Sequence, residues 1–290
     1  MTNEGNLNKK TWMSKALDIN RLKLSDIVWP GTHNSGMDKK APNYDVVIGN
    51  WTTCQNDSFA WQLANGARAF DIRLGYTEGH DQSIFYFHHN GYQSHRLLEE
   101  LIDAVSTFLD ENRDEFIVLD FHQLGDGEKP FAYKKLNDLL IDKLRERIIP
   151  PADATLTVGE LKQASAKRRV VLAAPLLREL DDHYFWPRIW HKWSGKHFTD
   201  TDDLKKHISR TLQSLPSAPC LWSLSATSYG FLGGPQDIKH YINDWFHHSR
   251  DWVTRCSIIS TDFFDESEIV QYCWIATSMK AVYGESLHRT

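Results

Sequence analysis

Ile27-Val28-Trp29-Pro30-Gly31-Thr32-His33-Asn34-Ser35-Gly36 is the stretch around which the rest of the chain is organised. It begins as a short apolar run, which suits a buried strand. Pro30 and Gly31 punctuate it and Gly36 follows, so the strand ends in a turn. His33 and Asn34 therefore stand at the carboxyl end of a strand, behind a stiff Pro-Gly bend. In parallel α/β sheets and barrels that end is where ligands bind. A histidine there titrates near neutral pH and can move protons. Alone, the segment also reads as a turn with a polar tip, and its meaning depends on the other strands.

Several of those end the same way. Ala67–Leu74 alternates, with Ala69, Asp71 and Arg73 on one face and Phe70 and Ile72 on the other. Charges facing a barrel interior must pair with each other or serve a ligand. Ile84–Tyr92 is an apolar run that closes on His88, His89 and Gly91. Alternation sends the two histidines to opposite faces, so at most one of them faces a shared site. Phe116–His122 carries Asp120 and His122 near its tip. Ser257–Phe264 ends on Asp262. Arg169–Pro175 and Cys220–Ser225 are further buried runs.

Between the strands lie helical periods. They cover Ser58–Gly66, Arg96–Asn112, Tyr133–Ile149, Thr157–Ala166, Asp203–Ser214, Gln236–Trp252 and Glu266–Met279. A short helix is expected near Trp12–Leu17, and residues 37–55 read as a long loop over the strand ends. No linker, repeat or low-complexity segment interrupts the strand–helix rhythm. The expectation is one α/β domain over residues 1–290, an irregular TIM-like (β/α) barrel with its core at about 22–264. An open doubly wound sheet is the alternative, without a Gly-rich phosphate loop.

Composition narrows the classes. The chain has 290 residues, 41% hydrophobic and 24% charged, enough for a sizeable core. A net charge of -5 gives no global field for nucleic acid. Cys54, Cys220, Cys256 and Cys273 lie too far apart for a zinc signature or a disulfide framework. Met1–Lys10 is polar, so no Sec signal is expected, and no apolar run approaches the ~18 residues of a spanning helix. A cytoplasmic setting, or export without a Sec signal, follows as the expectation. A membrane is met from the water side, by a monomer. The 11 tryptophans suit wet apolar boundaries. Those at 186, 190 and 193 either form an interfacial lip or pack a loop on the barrel rim.

The strand tips add up to a chemistry. Two histidines, an arginine and an orienting carboxylate are what cleavage of a phosphodiester needs. One imidazole takes a proton from the attacking hydroxyl and the other returns one to the leaving oxygen. A guanidinium neutralises charge on the phosphoryl oxygens, and an aspartate behind a histidine fixes its tautomer. The chain has no G-x-S-x-G and no H-E-x-x-H.

These residues resemble the phosphatidylinositol-specific phospholipase C X-domain family, in its stand-alone or bacterial-type branch. The resemblance rests on Pro30–Gly36, Gly66–Arg73 and the His88-His89 strand tip, with weaker matches at Val118–His122 and Ile258–Phe263. It implies a TIM-like barrel acting on phosphatidylinositol or a glycosylated relative at a membrane surface. The inositol hydroxyl would be the nucleophile, and the products a cyclic inositol phosphate and diacylglycerol. By position, His33 resembles the general base, Asp262 its partner, Arg73 the phosphate-binding arginine and Asp71 a supporting carboxylate. His89 resembles the general acid, with His88 the competing choice because Asn90 intervenes before Gly91. Asn34 stands where metal-independent members have aspartate and calcium-dependent ones a ligand asparagine. Arg73 falls where the calcium enzymes have a carboxylate, and its fixed positive charge implies metal independence. Calcium through Asn34 and Asp71 is the alternative. His88, His122 and Arg169 are expected to contact substrate. A phosphodiesterase acting on a glycerophosphodiester, or a non-catalytic phospholipid-binding barrel, are the competing functions.

Overall fold

A computed structural model of the chain describes residues 7–42, 44–75, 84–125, 130–196, 198–216, 219–230 and 233–284. Residues 1–6 of the polar lead-in lie outside them. In chain order the first elements are β1 (Trp29–Thr32), α1 (Val46–Thr52), α2 (Phe59–Ala64) and β2 (Ala69–Gly75). Next come β3 (Tyr86–His89), β4 (Tyr92–Leu97), α3 (Leu98–Glu111), β5 (Ile117–Leu124) and α4 (Tyr133–Leu144). They are followed by α5 (Val158–Ala164), β6 (Val170–Ala174), β7 (Phe185–Pro187), β8 (Trp190–Lys192) and α6 (Thr201–Gln213). β9 (Trp222–Ser225), α7 (Lys239–Phe246), α8 (Trp252–Arg255), β10 (Ile258–Thr261) and α9 (Ile269–Tyr283) complete the order.

Eight strands pair in the order β7-β6-β5-β2-β1-β10-β9-β8. Every pairing along this path is parallel. The path starts on β7 and ends on β8, which are separated in sequence only by Arg188 and Ile189. The sheet therefore curls until the chain itself joins its two edges. This is the expected α/β barrel with a wall left open at one seam.

Strands buried on both faces read as continuous apolar runs, and β1, β6, β9 and β10 are buried at every position. Gly31 lets β1 lie flush on β10, since a Cβ there would stand 2.8 Å from Ile258 Cγ2. Under the barrel, fully buried Arg68 donates to Glu115 Oε2 at 2.9 Å and to the carbonyls of Leu63, Ala67 and Lys10. A buried pair of this kind is tolerated because nearly every donor is spoken for.

The elements depart from expectation in six places. The run ending at His89 is not a barrel strand; β3 lies antiparallel on β2 and forms a hairpin with β4. The residues expected to begin the next helix, Arg96 and Leu97, belong to β4. Within the expected loop, α1 forms because Asp45 accepts from the amides of Val47 and Ile48. The aromatic segment 184–193 supplies β7 and β8, too short to show a period of two. The helix expected over 236–252 runs only from Lys239 to Phe246, where His247 turns extended (ψ 136), and α8 follows. Near Trp12 the chain makes 3-10 turns at Lys9–Thr11 and Met13–Lys15 in place of a helix.

Candidate active site

The carboxyl ends of β1, β2, β5 and β10 bring together the polar tips. His33 follows β1, and its amide is fixed by the Thr261 carbonyl at 3.1 Å. Asp262 follows β10, and its Oδ1 sits 2.7 Å from His33 Nδ1, with both side chains almost fully buried. Nδ1–H donating to a carboxylate leaves Nε2 as the basic nitrogen. That Nε2 stands 4.0 Å from Asp71 Oδ2. Arg73 grips the same Asp71 with Nη2 at 2.8 Å and Nε at 3.2 Å. Burial works against the Asp71 charge, but Arg73, helped by His122, His191 and His33, outweighs it. The carboxyl is held well below its usual range.

His89, at the end of β3, meets His33 edge-on with ring centres 6.1 Å apart. Its Nδ1 lies 3.1 Å from the Thr52 carbonyl, so Nδ1 carries the hydrogen and Nε2 is free. Burial, His33 and Arg73 push its pKa down to about 3. A cleft of about 260 Å³ is lined by His33, Arg73, His89, His122, His191 and Tyr229, among others. Tyr229 stacks edge-on to His33 at 6.3 Å.

His33, Arg73, His89, Asp71 and Asp262 are thus gathered as the sequence led us to expect, and His122 also lines the cleft. Three other expectations are corrected. His88 is buried and turned away from the cleft, its Nδ1 accepting from the Gly91 amide inside the β3–β4 turn. The placement of β3 on β2 therefore decides between the two histidines in favour of His89. Arg169 lies at the opposite, amino end of β6. It donates to the carbonyls of Arg113, Ser165 and Arg168 and stacks on Phe116, so it holds the barrel floor. Asn34 is fully buried and braces the site without lining it. It takes the left-handed backbone that asparagine tolerates (φ 41). Its amide reaches Asp71 Oδ2 at 3.0 Å and its side chain the His88 carbonyl at 3.2 Å. Of the three tryptophans, Trp193 lines the cleft and Trp190 is exposed, while Trp186 packs, donating to the Ile149 carbonyl at 2.7 Å.

The calcium alternative fits poorly. Asn34 Oδ1 is buried without a hydrogen-bond partner, which suits an ion. Asp71, however, is already committed to Arg73 and the Asn34 amide. Calcium asks for several oxygen ligands, and a guanidinium stands in their place.

Asp120 and His191 are site residues that the sequence reading missed. The register pairs Asp71 with Asp120 on adjacent strands, which sets two carboxylates side by side. Arg73 answers one, and His191 Nε2, 2.6 Å from Asp120 Oδ2, answers the other. Burial lowers the pKa of His191, but Asp120 more than offsets that, leaving it raised. Asp120 shares a face with His122 two residues on, so a charge inside an apolar strand was a usable signal. His191 gave none, because β8 has no readable period.

A family model described as phosphatidylinositol-specific phospholipase C, X domain, matches residues 42–174. That span includes Asp71, Arg73, His89 and His122; His33, His191 and Asp262 fall outside it. The mouse PI-PLC X domain-containing protein 2 is 30% identical over 292 residues, covering 88% of this chain and 83% of that protein. A variant-surface-glycoprotein phospholipase C from Trypanosoma cruzi is 34% identical over 135 residues, 43% of this chain and 33% of that one. The chain spans only 33% to 60% of the length of several relatives that it matches. Among solved structures, the phosphatidylinositol-specific phospholipase C of Staphylococcus aureus superposes with a TM-score of 0.67 at 16% identity, over 93% of this chain and 96% of that one. The enzyme of the same name from Listeria monocytogenes gives 0.64 at 15% identity, over 93% and 98%. At such identities the likeness is one of fold.

Proposed function

Since this chain belongs to the phosphatidylinositol-specific phospholipase C X-domain family, we propose that it cleaves the phosphodiester of a phosphatidylinositol-type lipid through attack by the inositol's own hydroxyl. The products are diacylglycerol and a cyclic inositol phosphate. The observation that carries this reading is the His33–Asp262 dyad, facing Arg73 across one cleft.

His33 Nε2 takes the proton of the attacking hydroxyl. Asp262 holds the ring in the right tautomer and steadies the imidazolium that forms. Arg73, its planar fork fixed by Asp71, neutralises charge growing on the phosphoryl oxygens. His89 starts neutral. A phosphodiester seated against Arg73 cancels the charge that disfavours the imidazolium and adds a negative one, which raises the pKa of His89. Nε2 of His89 then takes up a proton from water as the lipid binds and delivers it to the glycerol oxygen as the bond breaks, while His33 passes the proton it took to water. The fixed charge of Arg73 takes the place of a metal ion, so the reaction needs none.

The lipid meets the mouth of the barrel. α1 exposes Val46, Val47, Ile48 and Trp51, at 67%, 74%, 46% and 54%, with no charged residue in the helix. An apolar crown of this kind beside a cleft suits a lipid headgroup region. It is held close to the cleft: Gly234, next to the cleft-lining Gly233, abuts α1 so tightly that a Cβ would stand 1.9 Å from the Asn50 carbonyl. Among the described residues no helix is long and apolar enough to cross a membrane. We expect Val47→Asp combined with Trp51→Ala to lower turnover on vesicles by about tenfold or more, the order given by losing one buried apolar side chain. Cleavage of a soluble headgroup ester should be unchanged. Equal loss on both substrates would remove α1 from the interface.

The reaction itself is tested by phosphorus NMR on mixed phospholipids, with a chelator in excess. The expected first product is a cyclic inositol phosphate, formed from phosphatidylinositol alone. Activity lost to the chelator and restored by calcium would favour a metal-dependent phosphodiesterase. Vesicle binding without turnover of any phospholipid would leave a lipid-binding barrel.

A further inference from the structure

Beside Arg73 the cleft is lined by His122 and His191, and buried Asp120 joins His191; the proposed cleavage uses none of the three. Alternation along β5 puts Asp120 and His122 on one face, and β8 brings in His191 from the far edge of the sheet. His191 is tied to Asp120 and stacks on His122 with ring centres 3.7 Å apart and planes 18° from parallel. One donor atom from each of the three lies within 4.8 Å of the others. His122 Nδ1 is buried with no hydrogen-bond partner, so a lone pair or an N–H is left unanswered. Asp71 and Arg73 cancel each other, which leaves the Asp120 carboxylate as the local excess of negative charge whenever His191 is neutral.

We infer that Asp120, His122 and His191 form a binding site for a divalent transition cation of the zinc class. Two imidazoles and one carboxylate make the ligand set that zinc takes in open sites, with a fourth tetrahedral position left for water or a phosphate oxygen. Imidazole discriminates against calcium and magnesium, which want oxygen donors. The site is separate from the calcium position at Asn34 and Asp71 that Arg73 closes. In the resting arrangement a proton lies between His191 Nε2 and Asp120, where the ion would sit. Each imidazole donates in its own plane, and two nearly parallel stacked rings cannot converge on one point. Binding therefore displaces that proton and opens the stack. The ion lies in the headgroup cleft and acts there as a competitor of the lipid, with no part in the cleavage chemistry.

The site can be tested without turnover, so its failure and the failure of the proposed reaction are distinguishable. The full chain, freed of metal by chelation and dialysis, is titrated with cobalt(II) and the visible absorption of tetrahedral cobalt is followed. One equivalent should saturate the signal. Zinc should abolish it, and millimolar calcium should not. His122→Ala should weaken binding more than about tenfold, with His191→Gln as the second variant if the first does not fold by near-ultraviolet circular dichroism. Absence of tetrahedral bands up to millimolar cobalt would overturn the site. So would a signal that survives both variants. Loss of the signal in Cys54→Ser would move the ion to the His33, Cys54 and Asp262 group, whose donor atoms also lie within 4.8 Å of one another, and would equally overturn the assignment. Loss in His247→Ala would do the same in favour of the half-buried His247–His248 pair.

Discussion

With His33 replaced by alanine, release of cyclic inositol phosphate is expected to fall by about 10³-fold or more. General-base catalysis alone contributes about 10²–10⁴-fold, and the dyad acts as a unit. Within the dyad Nε2 of His33, 4.0 Å from Asp71 Oδ2, is the nitrogen left to take the proton, because Nδ1 is committed to Asp262 at 2.7 Å. Alanine removes the base and leaves Asp262 buried without its partner, so the loss must be read beside an unfolding curve. Asp262→Asn is the companion variant: it keeps the shape and removes the charge that steadies the imidazolium, so activity should fall while the fold holds. His33→Ala that folds and turns over phosphatidylinositol at the wild-type rate would end the assignment.

Arg73→Met is expected to cost about 10²–10³ in kcat, the usual loss when one donor aimed at a developing charge is removed. The methionine keeps the length of the stem but not the fork, and it leaves Asp71 uncompensated. Burial then works unopposed by the nearest cation, and the Asp71 carboxyl rises from its depressed position. Arg73→Lys should recover only part of the rate, because an ammonium cannot span both Asp71 oxygens, which Arg73 meets at 3.2 and 2.8 Å. The check is a kcat and KM pair for each variant on phosphatidylinositol. If Arg73 only holds Asp71 in place, lysine should restore full activity and methionine should raise KM alone. That outcome would remove it from the phosphate.

What the sequence determined by itself is the set of strands that end in chemistry. Pro30–Gly36 fixed a turn behind β1, and the alternation in Ala69–Arg73 put Asp71 and Arg73 on one face. The apolar runs around Val118, Val171 and Ile259 set a parallel, doubly buried sheet. These signals are local: period two, buried runs and turn residues depend on neighbours a few positions away. Only the tertiary structure decided the rest. That β3 is an antiparallel hairpin strand follows from its pairing with β2, which no period within it encodes. Arg169 looked like a strand-end cation, but it stands at the amino end of β6, where it braces carbonyls of the floor. Asp120 and His191 meet across 71 residues of chain. The physical reason is that curling the sheet brings edges remote in sequence to one mouth, and the partner of a buried charge is chosen there by distance and not by spacing along the chain.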